Sequence, residues 1–301
     1  MPTPLQTLGD KLAAGTFVLT AEITPPVSGD PARLLDKALP FRGLVDALNV
    51  TDGASARSHM CALAAGSILV RHGIDPIMQI TARDRNRIAI QSDVMGATAL
   101  GIGTFLFMTG DPPTAGDQPD AKGVFDLNST EMMTMVKRMR DDGTLPSGRA
   151  VSGGLERVLI GAADMPIDPP AGWEPKGLAA KVAAGAGFAQ TQFCMDTGIA
   201  RRYVARLAEH GLCGRIGLIV GVVPLKSAKS AAWIKQHLYG SIIPDQFVTR
   251  MERAADPAAE GRRICIEVIE ELRGIEGVAG AHIMAPGNES AAVDVLAAIR
   301  G

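Results

Sequence analysis

Short apolar runs recur along the whole chain, and each ends in a cluster of polar or small residues. The first four read FVLTAEI from Phe17, LVDALNV from Leu44, DPIMQIT from Asp75 and GTFLFMT from Gly103. Four more follow: RVLIGAA from Arg157, FAQTQF from Phe188, RIGLIVGV from Arg215 and VAGAHIM from Val278. Runs that are apolar at nearly every position predict strands buried on both faces, as in a parallel sheet. The segments between them have helical spacing; in AEGRRICIEVIEELRG, Ile264, Val268, Ile269 and Leu272 share one face. Glycines mark the joints from helix to strand, at Gly73, Gly101, Gly187, Gly211 and Gly274. A glycine there takes the left-handed conformation at little cost and turns the chain back. Eight strands alternating with helices predict an α/β fold, a closed (β/α)8 TIM barrel. A doubly wound open sheet is the rival, but no Gly-rich dinucleotide-binding turn follows the first run. No linker-like tract divides residues 1–301, so a single domain is expected, with residues 113–124 as a long surface loop.

Composition narrows the partners. Hydrophobic residues make up 47% and charged residues 21%, enough for a sizeable core. The formal net charge is −2 with no long run of either sign, which argues against nucleic acid and anionic lipid surfaces. The segment MPTPLQTLGDKLAAG lacks the basic-then-apolar order of a secretory leader, and no apolar stretch approaches the ~18 residues of a membrane span. Cys61, Cys194, Cys213 and Cys265 are far apart, with no CxxC. They read as reduced, mostly buried thiols of a cytoplasmic protein, and no metal framework is expected.

In a barrel of this kind the chemistry gathers at the carboxyl ends of the strands. Those ends carry Glu22, Thr51-Asp52, Thr81 with Arg83-Asp84-Arg85-Asn86, and Thr109-Gly110-Asp111. After them come Ala162-Ala163-Asp164, Gln192, Val223-Pro224 and Ala285-Pro286. Glu22 sits among apolar residues in TAEITPP, where desolvation raises a carboxyl pKa toward that of a useful general acid. Its alternative is an ion-paired structural carboxylate. Asp111 follows the strand FLFM and precedes two prolines that stop the sheet ladder; it either faces a ligand or caps a turn. The arginines of RDRNR suit a solvated helix start or a diphosphate. Gln192 offers a planar amide able to read a heterocycle edge. His59 and His282 stand alone in sequence and receive no role.

Taken in order and spacing, TAEITPP, VTDGA, ITARDRNRIAIQSD, FMTGDPP, AAGAGFAQTQFCMD and GVVPLKSAKSA resemble the methylenetetrahydrofolate reductase family in its bacterial, catalytic-domain-only form. The resemblance runs from about Phe17 to about Pro286. It implies a barrel oxidoreductase that binds FAD at the strand ends and interconverts methylenetetrahydrofolate and methyltetrahydrofolate, with NADH or NADPH as electron donor. It implies Glu22 as general acid, Asp111 as a catalytic contact to pterin and flavin, and Gln192 as a folate contact. Thr51, Gln79, Arg83, Asp84, Thr109, Gly110, Asp111, Ala162, Ala163 and Lys181 fall at cofactor-binding positions, and Trp233 near the nicotinamide-stacking place. The chain departs from the family pattern at Gln79, where a histidine is common, and at Ala163, where a tyrosine is common. Around Lys181 it has the small residues Gly177, Ala179 and Ala180. A homo-oligomer, or assembly with a partner subunit, is the expected state. Two other readings are oxidation of methyltetrahydrofolate in a demethylation or methylotrophic pathway, and a non-redox folate-binding subunit.

Overall fold

All eight predicted runs are strands, and all eight are parallel. They are β1 (Val18–Ile23), β2 (Ala47–Val50), β3 (Pro76–Thr81), β4 (Thr104–Met108), β5 (Leu159–Asp164), β6 (Phe188–Phe193), β7 (Gly217–Val222) and β8 (Val278–Ile283). The computed structural model describes residues 7–301; residues 1–6, part of the segment read above for a leader, lie outside the described residues. Each strand pairs with its sequence neighbour, and β8 pairs with β1, so the sheet closes into a (β/α)8 barrel of one domain. Around and beneath it lie α1 (Leu8–Ala13), α2 (Pro31–Ala38), α3 (Ala62–Arg71), α4 (Arg87–Ala99), α5 (Ser129–Asp141) and α6 (Lys176–Ala183). The remaining helices are α7 (Thr197–Glu209), α8 (Ala228–His237), α9 (Asp245–Arg253), α10 (Pro257–Arg273) and α11 (Glu289–Arg300). Among the described residues no helix is long and apolar enough to cross a membrane.

Side chains alternate along a strand, so each strand supplies one set to the helix layer and one to the barrel interior. Leu19, Ala21, Ile23, Met78, Ile80, Phe105 and Phe107 join the helix-facing core, which also takes Ile264, Val268, Ile269 and Leu272 of α10. The interior set changes character from floor to mouth. Its lowest layer is apolar: Val18, Ala47, Ile77, Leu106, Phe188 and Ile219, closed from below by Leu8 of α1. One step higher are Thr20, Asn49, Gln190 and His282, exposed by 0%, 0%, 4% and 2%. Higher still are Glu22, Gln79 and Thr51. The interior thus turns from an apolar floor through a buried polar layer to the polar residues of the mouth.

Glycine supplies room as well as turns. Gly161 faces Phe188 across β5 and β6, and a Cβ there would overlap the ring. The joint glycines Gly73, Gly101 and Gly211 have φ of 72°, 89° and 65°, as expected. Gly187 and Gly274 do not take that role. α6 stops early enough that Gly185 makes the turn (φ 101°), and Gly187 is already donating its N–H to Ile160. Gly274 ends α10 with φ −84°, and Gly277 turns instead, with φ 92°. The expectation of mostly buried thiols also needs correction at Cys61, which is exposed because it stands at the amino end of α3 beside an open cleft. Cys194 and Cys265 are buried and Cys213 is half-buried.

Candidate active site

Glu22 is the last inward side chain of β1. Its carboxyl Oε2 accepts a hydrogen bond from Gln79 Nε2 of β3 at 2.9 Å. His282 Nε2 of β8 lies 4.0 Å from the same oxygen, and Glu22 has no other ion-pair contact among the described residues. Its side chain keeps 21% accessibility at the bottom of the mouth. Burial raises its pKa to about 7, against a smaller lowering by the Gln79 amide. A carboxyl group of this kind holds a proton near neutral pH and can deliver it. Among the described residues no Lys or Arg contacts Glu22, which counts against reading it as an ion-paired structural carboxylate.

Below Glu22, Asn49 and Gln190 exchange two amide hydrogen bonds of 2.5 and 3.0 Å. Gln190 Nε2 also reaches Thr20 Oγ1 at 3.1 Å and His282 Nδ1 at 3.3 Å, and Thr20 Oγ1 lies 2.9 Å from that ring nitrogen. Burial lowers the His282 pKa to about 3, so the ring is neutral. Sequence reasoning passed over Thr20, Asn49, Gln190 and His282. The available signal was alternation: Thr20/Glu22, Asn49/Thr51, Gln79/Thr81 and Gln190/Gln192 each repeat polarity at a spacing of two, which places them on one face.

The RDRNR segment is organised by carboxylates. Arg85 makes two bonds to Asp52, at 2.6 and 3.1 Å, and one to Asp93 at 2.7 Å. Asp52 in turn accepts the Thr81 N–H and hydroxyl, both at 2.9 Å. Asn86 caps α4, accepting from the N–H groups of Ile88 and Ala89. Arg87 pairs with Asp126. Arg83 is 5% exposed and directs Nε and Nη2 to Asp84 and Nη1 to the Gly53 carbonyl. Gly53 is left-handed (φ 57°), and a Cβ there would overlap the Arg83 guanidinium. The segment does lead into a helix, capped by Asn86, but it is not the solvated start expected: Arg87 is exposed, while Arg83 is buried and Arg85 half-buried in ion pairs, and the charge of Asp111 acts on Arg83.

Gly110 (φ 85°) backs onto Thr81, where a Cβ would stand 3.0 Å from that residue's Cβ. Thr109 and Asp111 on either side are exposed, and Asp111 accepts no hydrogen bond from the described residues, so it caps neither a helix nor a turn. Lys181 Nζ donates to the Ala163 carbonyl at 2.6 Å, beside the buried Ala162. Asp164 accepts from Tyr203 at 2.6 Å, and burial raises its pKa. Gln192 is half-buried. Its Oε1 accepts the Phe193 N–H at 3.0 Å, and its Nε2 reaches the Tyr239 carbonyl only at 3.5 Å. Two buried side-chain oxygens have no partner among the described residues, Thr51 Oγ1 after β2 and Ser241 Oγ in the loop that returns to β6. Trp233 is 54% exposed and stacks on His237, with ring centroids 5.2 Å apart. A cleft of about 310 Å³ opens between the loops after β2 and β3, bordered by Gly53, His59, Cys61, Arg83 and Asp84. A hollow of about 420 Å³ lies at the opposite, floor end of the barrel, among Gly9, Leu12, Arg215 and Gly277. Among the described residues no group of three or more potential metal ligands occurs.

A family model described as methylenetetrahydrofolate reductase matches residues 7–300. The chain belongs to this family. Among solved structures, an uncharacterized protein from Clostridium thermocellum, described as binding two copies of 5-methyl-5,6,7,8-tetrahydrofolic acid, is similar with a TM-score of 0.66. It shares 14% identity over 97% of this chain and 99% of that one. DmoA from Hyphomicrobium sulfonivorans is similar with a TM-score of 0.54 and 12% identity, over 94% of this chain and 88% of that one. At these identities the likeness is one of fold. No curated protein matches this methylenetetrahydrofolate reductase family member in sequence.

Proposed function

We propose that this protein interconverts methylenetetrahydrofolate and methyltetrahydrofolate, with Glu22 as general acid and with reducing equivalents from NADH or NADPH. The observation that carries the reading is the state of Glu22: a recessed carboxyl without a cationic partner, its pKa raised to about 7. Family membership supports the substrate class, and the description of the Clostridium thermocellum protein agrees with it.

Opening the methylene bridge leaves a positive iminium on the pterin nitrogen and frees the arylamine nitrogen outside the ring, which needs a proton. Glu22 delivers that proton from the mouth floor, and its carboxylate then faces the cationic carbon unit. Asp111, exposed and without a hydrogen-bond partner, is free to accept N–H groups of a pterin. Gln192 holds its Oε1 on the Phe193 N–H, while its Nε2 has only the long contact to Tyr239 to give up. Its amide donor therefore serves the ligand.

The residues fit FAD on the side of the mouth between β2 and β5. Thr51 offers a buried hydroxyl without a partner, Lys181 offers a cation, and Ala162 and Ala163 leave space beside it. Thr51, Gln79, Thr109, Gly110 and Ala162 would line the group, with Lys181 and Arg83 as counter-charges for its diphosphate and Asp84 holding Arg83. When bound, FAD supplies the hydride-transfer chemistry. An anaerobic UV–visible spectrum of the purified protein, taken before and after adding methyltetrahydrofolate, tests the reading. A flavin band that bleaches is the expected result. A bound flavin that methyltetrahydrofolate leaves oxidised would overturn it.

A further inference from the structure

His282 lies one layer below the mouth, out of a substrate's reach, yet its ring points at the carboxyl group assigned the acid role. Its surroundings decide which ring nitrogen carries the proton. Thr20 of β1 is its register partner on the adjacent strand, and Gln190 approaches from β6. The Gln190 amide nitrogen spends one hydrogen on Asn49 Oδ1 at 3.0 Å. The other is directed at Thr20 Oγ1 and His282 Nδ1, at 3.1 and 3.3 Å. The Thr20 hydroxyl, having accepted from Gln190, has its own hydrogen to place, and Nδ1 is 2.9 Å away. Two donors converging on Nδ1 make it an acceptor, so the proton of the neutral ring sits on Nε2. That nitrogen faces Glu22 Oε2 at 4.0 Å.

We propose that His282 is a positioning residue for Glu22: the buried Asn49–Gln190–Thr20 ladder fixes its Nε2–H tautomer, and this N–H supports the Glu22 carboxylate once the acid has given up its proton. Both polar neighbours of Glu22, the Gln79 amide and the His282 ring, address the same oxygen, Oε2. Oε1 is left as the oxygen that carries the proton toward the mouth. The charge left on the carboxyl after transfer then gathers on Oε2, where closing the 4.0 Å gap gives it a second N–H donor. The ring keeps its own proton throughout; the proton lost by Glu22 goes to the substrate nitrogen. Burial, which holds the ring neutral, prevents His282 from becoming a competing acid.

The groups facing this pair are few. Glu22 meets Gln79 from β3 and His282 from β8, and His282 meets Thr20 and Glu22 from β1 and Gln190 from β6. Of these, Glu22 and His282 alone titrate. The role of His282 in the reaction rests on the general-acid reading of Glu22, but its test does not need turnover. In protein labelled with 15N-histidine, the His282 ring should show a neutral Nε2–H tautomer that does not titrate across the range in which Glu22 does. An Nδ1–H tautomer, or a ring that protonates with Glu22, would overturn the proposal. The Glu22 titration itself is read from infrared carboxyl bands, as the difference between wild type and Glu22→Gln. His282→Leu, which removes the ring N–H, should move that titration upward by about one pH unit, the tenfold weight of one hydrogen bond to a charged group. Thr20→Val, which keeps the side-chain shape and removes the hydroxyl donor, should release the tautomer and move Glu22 in the same direction. Loss of stability in either variant with the Glu22 titration unmoved would reduce His282 to packing. A shifted titration in a protein inactive on methyltetrahydrofolate would keep the positioning role and sink the proposed reaction.

Discussion

Glu22 Oε2 and Gln79 Nε2 meet at 2.9 Å across the mouth, joining β1 to β3 over the intervening β2. The bond orients the carboxyl but does not supply a charge, so burial dominates and the pKa rises from 4.5 to about 7. Between those values the folded protein binds a proton that the unfolded chain has lost. Stability therefore falls as pH rises through that window, by up to about 3 kcal/mol, and the loss is complete above pH 7. Glu22→Gln removes the ionisation and keeps an oxygen for Gln79. It should abolish folate turnover while stabilising the protein by up to about 3 kcal/mol at about pH 8, a gain that vanishes near pH 4. Urea unfolding at the two pH values checks the sign; equal stability of the two proteins at both would show that Glu22 is not desolvated.

Arg85 and Arg87 test whether ion pairs in the RDRNR segment matter by number or by burial. The Arg85 and Asp52 side chains are 15% and 8% exposed, against 52% and 28% for Arg87 and Asp126. Removing Arg85 takes the ion-pair partner from a buried Asp52 and leaves it the Thr81 N–H and hydroxyl as hydrogen-bond donors. Arg85→Met should cost about 3–5 kcal/mol. Arg87→Met should leave the unfolding midpoint unmoved, because an exposed pair is screened by water. Denaturant midpoints for the two variants settle the comparison, and similar losses in both would contradict the burial rule here.

The barrel was legible because fully buried strands write themselves as apolar runs, and eight of them repeat along the chain. The mouth was legible in part because Glu22, Asp111 and Gln192 stand at or near run ends, whereas Gln79, inside its run, came only from the family resemblance. The interior layer was not, since Thr20, Asn49, Gln190 and His282 sit inside those runs and look like polar interruptions of apolar strands. Their partners come from strands up to 262 positions away in sequence, so only closure of the barrel brings Thr20 to His282. Arg83, Arg85 and Arg87 look alike in sequence; which of them borders the mouth depends on Gly53, Asp52 and Asp126.

Gln192 and Asp111 should separate by what they change. Gln192→Ala removes an amide whose own contacts are one main-chain N–H and one long carbonyl contact. Methyltetrahydrofolate affinity should fall about tenfold, the weight of a hydrogen bond or two to the ligand. Asp111→Asn keeps the shape of an exposed, unpartnered carboxylate and should slow folate turnover while any bound flavin stays in place. Isothermal titration with methyltetrahydrofolate and single-turnover flavin spectra distinguish the two. Unchanged affinity in Gln192→Ala would remove that residue from the folate site.

Gly161 and Phe188 are register partners on β5 and β6, and the phenyl ring fills the space a side chain at 161 would need. Phe188 is fully buried in the floor layer on which the polar ladder rests. Gly161→Ala should therefore act as an overpacking change, costing about 1–3 kcal/mol. Phe188→Leu alone should cost about as much by leaving a gap. Together the two changes compensate, the new methyl occupying volume the ring vacates, so the double variant should be more stable than the sum of the single losses by about 1 kcal/mol or more. Unfolding free energies for the four proteins of this cycle measure the coupling. Strict additivity would mean that the ring does not occupy the space above Gly161, and that the glycine is there for backbone freedom alone.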